Sequence, residues 1–312
     1  MSSNRTTIIR GPAIVTYDSV VMYTEGDITF RLVLTRADIN VSAFSKVDER
    51  LDDITTEVSF TPAGVWAYRT VLLPHTTPSI GSSIIGATDK DLVIHTLAGK
   101  TITVRACAIT SMPQVNFGTT QQLWGAVTFT GVGTNTTAWS HASKRVLDAT
   151  ATFSDTSFDP TAILTQPYTV AWGASSPWNA ITTEDGVRVS FELDAQPVKV
   201  DSEGTVDMTL ENVQVIARMK PVGVSEADVI ALLKAQDTGA ARGVSLQSHN
   251  SAVLNISGTG VYFRIYKAAP VEGPLAFGRT TLRAGELAFI GTAEFATGAR
   301  QPLYYHGTAA PT

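Results

Sequence analysis

Along much of this chain, apolar and polar side chains take turns. In residues 28–35, Ile28, Phe30, Leu32 and Leu34 alternate with Thr29, Arg31, Val33 and Thr35. Residues 54–61 set Ile54, Thr56, Val58 and Phe60 against Thr55, Glu57, Ser59 and Thr61. A period of two is what a strand needs when one face meets a core and the other meets water. The pattern returns later: Val187, Val189, Phe191 and Leu193 oppose Arg188, Ser190, Glu192 and Asp194. Val213, Val215, Ala217 and Met219 then oppose Gln214, Ile216, Arg218 and Lys220. Further strands are predicted at 92–97, 101–109 and 123–130, and again at 252–257, 261–267 and 286–295. The segments Ala37–Asp53 and Gln196–Asn212 read as long loops, a kind that usually has a job. Helical spacing is clearest in Ser225–Gln236, where Ser225 can accept orphan amide hydrogen bonds and Val229, Leu232 and Leu233 form one apolar stripe. A shorter helix is predicted over Trp66–Leu73, stopped by Pro74.

The recurrence is a duplication. Residues 28–65 lie over residues 187–224 without a gap, at a constant offset of 159. Leu34/Leu193, Val41/Val200, Val47/Val206, Asp48/Asp207, Leu51/Leu210, Pro62/Pro221, Gly64/Gly223 and Val65/Val224 are identical. Unrelated segments of this length would share roughly two or three residues. At offset 160, FGTTQQLWGAVTFTG (117–131) meets FGRTTLRAGELAFIG (277–291), with Phe117/Phe277, Gly118/Gly278, Gly125/Gly285 and Gly131/Gly291 coinciding. Solenoids need three or more short repeats, so two long copies indicate two similar globular units in series. The expected organisation is a mainly β chain: unit one at 1–133 with an N-terminal arm, a linker at 134–165, unit two at 166–298, and a C-terminal arm at 299–312. The linker is expected to hold a short helix from Trp139 to Leu147.

Composition narrows the function classes. A hydrophobic content of 44% supplies a core for each unit, and 16% charge suits a protein that buries surface against copies of itself. The net charge of −5 argues against general nucleic-acid binding, which needs excess Lys and Arg. One cysteine, Cys107, excludes an internal disulfide and reads as a small strand side chain. No apolar run is long enough for a membrane span, and Met1–Arg10 lacks the core of a secretory signal, so a soluble protein made in a reducing cytoplasm is expected. No P-loop, dinucleotide, nucleophile-elbow or zincin pattern occurs, and the five histidines lack ligand spacing. The acidic run KVDERLDDITTE (46–57) has no calcium-loop spacing. No enzyme activity, cofactor or metal is therefore expected. Trp66, Tyr68, Trp124 and Trp139 read as core or interface rather than as a sugar platform.

One family is called up by non-catalytic phrases. The order strand 28–36, charged segment, strand 54–61 ending in Pro-x-Gly, helix, and later strands around GKTITVRACAIT and LWGAVTFTG resembles the tail tube proteins of long-tailed bacteriophages. The run SAFSKVDERLDDITTEVSFTPAGVW, with LVIHTLAGK and VTFTGVGTNTTAWS, is similar to the major tail tube subunits of siphophages and related prophages. The resemblance covers nearly the whole chain. It implies two tandem tube domains, each of two packed antiparallel sheets (a partial barrel) with one flanking helix. It also implies homotrimeric, pseudo-hexameric rings stacked into a hollow virion tail tube, assembled in the host cytoplasm. The implied partners are further copies of the chain, the tape measure protein, the distal tail and terminator proteins, and DNA in passage without specific binding. No membrane is involved.

Under that resemblance the lumen-facing candidates are Thr29, Arg31, Thr35, Glu57, Ser59, Thr61, Arg188, Ser190, Glu192, Asp194, Gln214 and Arg218. Family bores tend to be acidic, so these arginines need carboxylate partners or the bore lies on another face. Loops 38–53 and 197–212 are expected to reach the adjacent ring through Asp48, Arg50, Asp52, Asp53, Asp207 and Glu211. Two other readings stay open. One is another virion part on the same fold, such as a distal tail, terminator or baseplate-hub protein. The other is a two-domain carbohydrate-binding module.

Overall fold

The computed structural model describes residues 13–42, 45–85, 90–96, 99–119, 122–133, 146–150, 159–164, 166–200, 204–236, 251–272, 275–277, 282–292, 295–296, 299–300 and 302–311. The chain is mainly β, in several antiparallel sheets. Its first half holds β1 (Ala13–Tyr17), β2 (Val20–Tyr23), β3 (Thr29–Val41), β4 (Ser45–Phe60), α1 (Arg69–Leu72), β5 (Leu92–Thr96), β6 (Lys100–Val104), β7 (Cys107–Ser111), β8 (Val115–Phe117), β9 (Val127–Gly131) and β10 (Val146–Thr150). The second holds β11 (Thr169–Trp172), β12 (Thr182–Val200), β13 (Gly204–Val222), α2 (Glu226–Gln236), β14 (Ala252–Gly258), β15 (Val261–Glu272), β16 (Leu275–Phe277), β17 (Leu282–Ala284) and β18 (Leu287–Gly291). It ends in β19 (Phe295–Ala296), β20 (Ala299–Arg300) and β21 (Tyr304–Gly307).

Both halves repeat one hydrogen-bonding scheme. β3 and β4 pair from Thr29↔Ser59 to Val41↔Ser45, with bulges at Thr35/Arg36 and Ile39/Asn40. β12 and β13 pair from Thr182↔Val222 to Val200↔Gly204, with a register shift at Thr183/Val187 and, along the stretch that overlies β3–β4, bulges at Asp194/Ala195 and Val198/Lys199. Within that stretch the partners and both bulges recur at the 159-residue offset of the sequence. Next to each hairpin lies a third strand: β9 on β4, with Val58↔Phe129, and β18 on β13, with Ala217↔Phe289. The antiparallel β5–β6 pair with β1 beside β5 is matched in kind by β14–β15 with β11 beside β14. Gly131 and Gly291 are retained for packing: an added Cβ would lie 2.5 Å from Val104 Cγ1 in one and 2.3 Å from Val215 Cγ1 in the other.

The halves differ in how their sheets connect. In the first, two sheets run β10-β6-β5-β1-β2 and β3-β4-β9-β7. The chain passes between them at Ala106, whose φ of 47° breaks what the sequence reads as one strand, 101–109. In the second half β15 continues unbroken through both roles. The strands therefore join in one sheet of order β11-β14-β15-β18-β13-β12-β8, with β21 also on β15. One apolar cluster spans both halves, taking Phe60, Trp66, Phe117, Trp124 and Phe129 from the first and Trp172, Phe191, Phe263, Phe289 and Tyr304 from the second.

Several expectations need correction. The presumed long loops 37–53 and 196–212 are the outer parts of two long hairpins, β3–β4 and β12–β13. Their period of two is hidden by the bulges, each of which shifts the alternation by one residue. Cross-strand ion pairs, Arg36–Glu49 at 3.2 Å and Lys46–Asp38 at 2.7 Å, replace the apolar alternation as the register signal. The presumed linker contributes β10, paired with β6 from Val146↔Val104 to Thr150↔Lys100, so Val146–Leu147 are strand and not helix. Residues 139–145 of that expected helix lie outside the described residues, as do residues 1–10 of the N-terminal arm. The presumed C-terminal arm supplies β21, with Leu303 and Tyr304 buried. The expected helix at Trp66–Leu73 is a 3-10 turn, Trp66–Tyr68, followed by the single turn α1. Ser225 does cap α2: its Oγ accepts from Asp228 N at 3.2 Å, and Val229 and Leu232 are buried.

Candidate assembly surface

The polar positions of the two hairpins line up across strands. Thr29 faces Ser59 and Arg31 faces Glu57, with Arg31 Nε donating to Glu57 Oε2 at 2.7 Å. β9 extends this face through Thr128 opposite Ser59 and Thr130 opposite Glu57. On the second hairpin Arg188 faces Arg218, Ser190 faces Ile216, Glu192 faces Gln214 and Asp194 faces Asn212. Arg188 donates to Glu286 Oε1 at 2.6 Å, and Arg218 to Ser190 Oγ at 3.4 Å. Exposed pairs of this kind add little stability. Their effect is on local charge, because Arg31 and Arg188 are matched by carboxylates. Thr35 sits opposite Asp53 at the first bulge. Thr61 falls past the end of β4, where its carbonyl accepts from Glu25 N at 2.8 Å.

The second hairpin is covered by the first half of the chain. β8 pairs antiparallel with the outer edge of β12 through Phe117↔Val187, Asn116↔Arg188 and Val115↔Val189. Phe117 is buried there and meets Tyr168 edge-on at 5.3 Å and Phe263 at 5.7 Å. Leu210 in β13 has both backbone groups taken, its N donating to Ser82 O at 2.9 Å and its O accepting from Gly81 N at 2.7 Å. Ser83 Oγ donates to Asp207 Oδ1 at 2.7 Å. From the far end of the second half, Gly307 O accepts from Trp66 Nε1 at 2.8 Å, and Leu303 N donates to Thr76 O at 2.7 Å.

Asp53 belongs to this joint. Placed by the sequence among exposed loop charges, it is instead buried, accepting from Thr205 N at 2.8 Å and from Thr205 Oγ1, with Lys199 Nζ 3.4 Å away. Burial opposes its ionisation, but the Thr205 hydrogen bonds and the Lys199 ammonium outweigh that and hold the carboxyl below its usual value of 3.8. Because the folded value lies below the unfolded one, Asp53 contributes fully above the unfolded value, and the contribution fades as pH falls through the folded value. Asp53→Ala strands the Thr205 donors and is expected to cost about 1–3 kcal/mol at pH 7. The gap between the urea midpoints of the two proteins should narrow as pH falls below 3.8, and a gap of equal size at pH 3 would contradict this assignment.

The other acidic candidates stay outside the joint or only partly in it. Asp52 pairs with Arg50 at 2.7 Å, Asp48 Oδ1 accepts from Glu49 N at 2.8 Å, and Glu211 is exposed. Asp207, bonded to Ser83, faces the first half of its own chain. Sequence reading missed Phe117, Thr205 and residues 81–84 as joint residues. The only signal for Phe117 was its recurrence as Phe277.

The first hairpin lacks this cover. Among the described residues β3 pairs only with β4 and ends its sheet. Leu51 is 46% exposed where its counterpart Leu210 is 1% exposed, and Leu32 is 53% exposed against 8% for Phe191. Among the described residues no group of three or more His, Cys, Asp or Glu is placed to hold a metal ion, and no helix is long and apolar enough to cross a membrane. A cavity of about 340 Å³ lies along the joint, lined by Phe117, Gly118, Tyr168, Asp185 and Gly186 among others. No protein-family model matches the chain, and no curated protein matches it.

Proposed function

We propose that the chain is a structural subunit of a phage tail tube. Two tandem tube domains join laterally into a ring, and rings stack around a lumen through which DNA passes during ejection. The observation that carries this reading is the unequal state of two equivalent hairpins: β12 has its edge closed by β8, whereas β3 ends its sheet. An open strand edge is a template for further pairing. A head-to-tail joint repeated between copies either closes as a ring or runs on as a filament. With two units per chain, three chains supply a six-unit ring.

The aligned polar face supports its use as the bore. Arg31 and Arg188 are engaged by Glu57 and Glu286, and among the remaining candidates the exposed carboxylates Glu192 and Asp194 outnumber Arg218, which bonds to Ser190 Oγ. Like charge keeps phosphate from adhering, so DNA slides. Asp48, Arg50, Asp52 and Glu211, towards the outer parts of the hairpins, are the charges offered to an adjacent ring. The tape measure, distal tail and terminator partners and the virion location follow from the family resemblance. Purified protein under assembling conditions should give long hollow tubes by negative-stain microscopy and a ring mass of three chains. Isolated rings would favour a terminator or hub protein. A persistent monomer that binds glycans would overturn the reading in favour of a carbohydrate-binding module.

A further inference from the structure

We infer that β16 of one copy pairs with the free edge of β3 in another copy, antiparallel, with Phe277 opposite Ile28, Ala276 opposite Thr29 and Leu275 opposite Phe30. This inference rests on the self-assembling part of the proposed function and holds whether or not the assembly conducts DNA. The template is the joint inside the chain, Phe117↔Val187, Asn116↔Arg188 and Val115↔Val189. β16 is the counterpart of β8 on two grounds. Phe277-Gly278 repeats Phe117-Gly118 at offset 160. The pairing Leu275↔Ala284 in β16–β17 also repeats the bridge Val115↔Trp124 at that same offset. β3 is the counterpart of β12 along the whole ladder at offset 159. Applying the two offsets to the internal pairs gives the stated register.

Both edges are available. Among the described residues β16 pairs only with β17, and β3 only with β4. The turn leading into each hairpin also records who is present. A Cβ at Gly186, with φ 84°, would lie 2.1 Å from Phe117 O. Gly26, in the turn before β3 though one position off the 159 offset, has the same φ, and a Cβ there would meet nothing within 4 Å. Val187 and Val189 are buried under the internal joint, whereas their counterparts Ile28 and Phe30 are only half-buried. Bare Leu51, against covered Leu210, extends the vacancy along the hairpin.

Disulfide trapping tests the register directly. Cys107 is fully buried, and burial pushes its thiol up to about 12, so it gives no background. Thr29→Cys and Ala276→Cys are made in separate chains and mixed under mild oxidation, as are Ile28→Cys and Phe277→Cys. Adjacent antiparallel pairs alternate between wide and narrow spacing, so one of the two suits a disulfide. The expected result is a cross-linked heterodimer about tenfold more abundant than with the out-of-register mixture of Thr29→Cys and Arg283→Cys. Assembly without this preference overturns the inference and leaves the tube reading standing. No assembly and no cross-link overturns both. Cross-linking without tubes supports the joint and counts against the conduit.

Discussion

Gly186→Val is expected to destabilise the protein by about 3 kcal/mol, read as a lower urea midpoint at unchanged slope. The side chain would enter a left-handed backbone and collide with Phe117 O and with Gly118 Cα, 2.7 Å from the ideal Cβ. Backbone atoms cannot rotate away, so relief requires β8 to separate from β12. Gly26→Val carries the same left-handed strain without the collision and should cost about 1 kcal/mol. The difference between the two variants isolates the joint between halves. Equal losses would mean that β8 does not sit on β12 in solution.

Trp124→Ala should cost about 3–5 kcal/mol. The indole is fully buried, stacks on Trp66 with centroids 5.7 Å apart, and donates from Nε1 to Val65 O at 3.1 Å. Its removal opens a void beside Trp66, which itself contacts Phe117 at 5.8 Å and bonds to Gly307 of the second half. Both the first core and the joint lose support, so a single cooperative transition should move to lower denaturant. Val271→Ala, at a side chain 44% exposed, should shift it by no more than about 0.5 kcal/mol.

The parts of the fold legible in the sequence were those where one rule acts alone. The alternations at 28–35 and 187–194 gave the inner ends of β3 and β12 as strands, but the expected core face is buried only in β12, through Val187, Val189 and Phe191; in β3 Ile28 and Phe30 are half-buried and Leu32 and Leu34 are exposed. Ser225 and the apolar spacing after it gave α2. The outer ends of the hairpins were misread because bulges interrupt the alternation and because charge pairs, not apolar burial, hold Arg36 to Glu49 and Lys46 to Asp38. β10 and β21 were missed for a different reason. Each completes a sheet begun far earlier in the chain, on β6 and on β15, and local sequence carries no mark of a distant edge. Asp53 shows the same limit at the site. Nothing near it distinguishes it from Asp52, and only a threonine 152 positions along the chain makes it structural.

Placing β8 and β12 in one polypeptide makes their contact intramolecular and so independent of protein concentration. Dilution then acts only on contacts between separate molecules. In the proposed assembly the smallest species released would be a pre-joined couple, never a single unit. Duplication also lifts a constraint that rotational symmetry imposes on a ring of identical one-unit chains, where every residue must serve at every seam. Here the covalent seam has Trp124, while the corresponding position, in β17, is Ala284. In the proposed ring the covalent seam would be permanent and the seam between copies reversible.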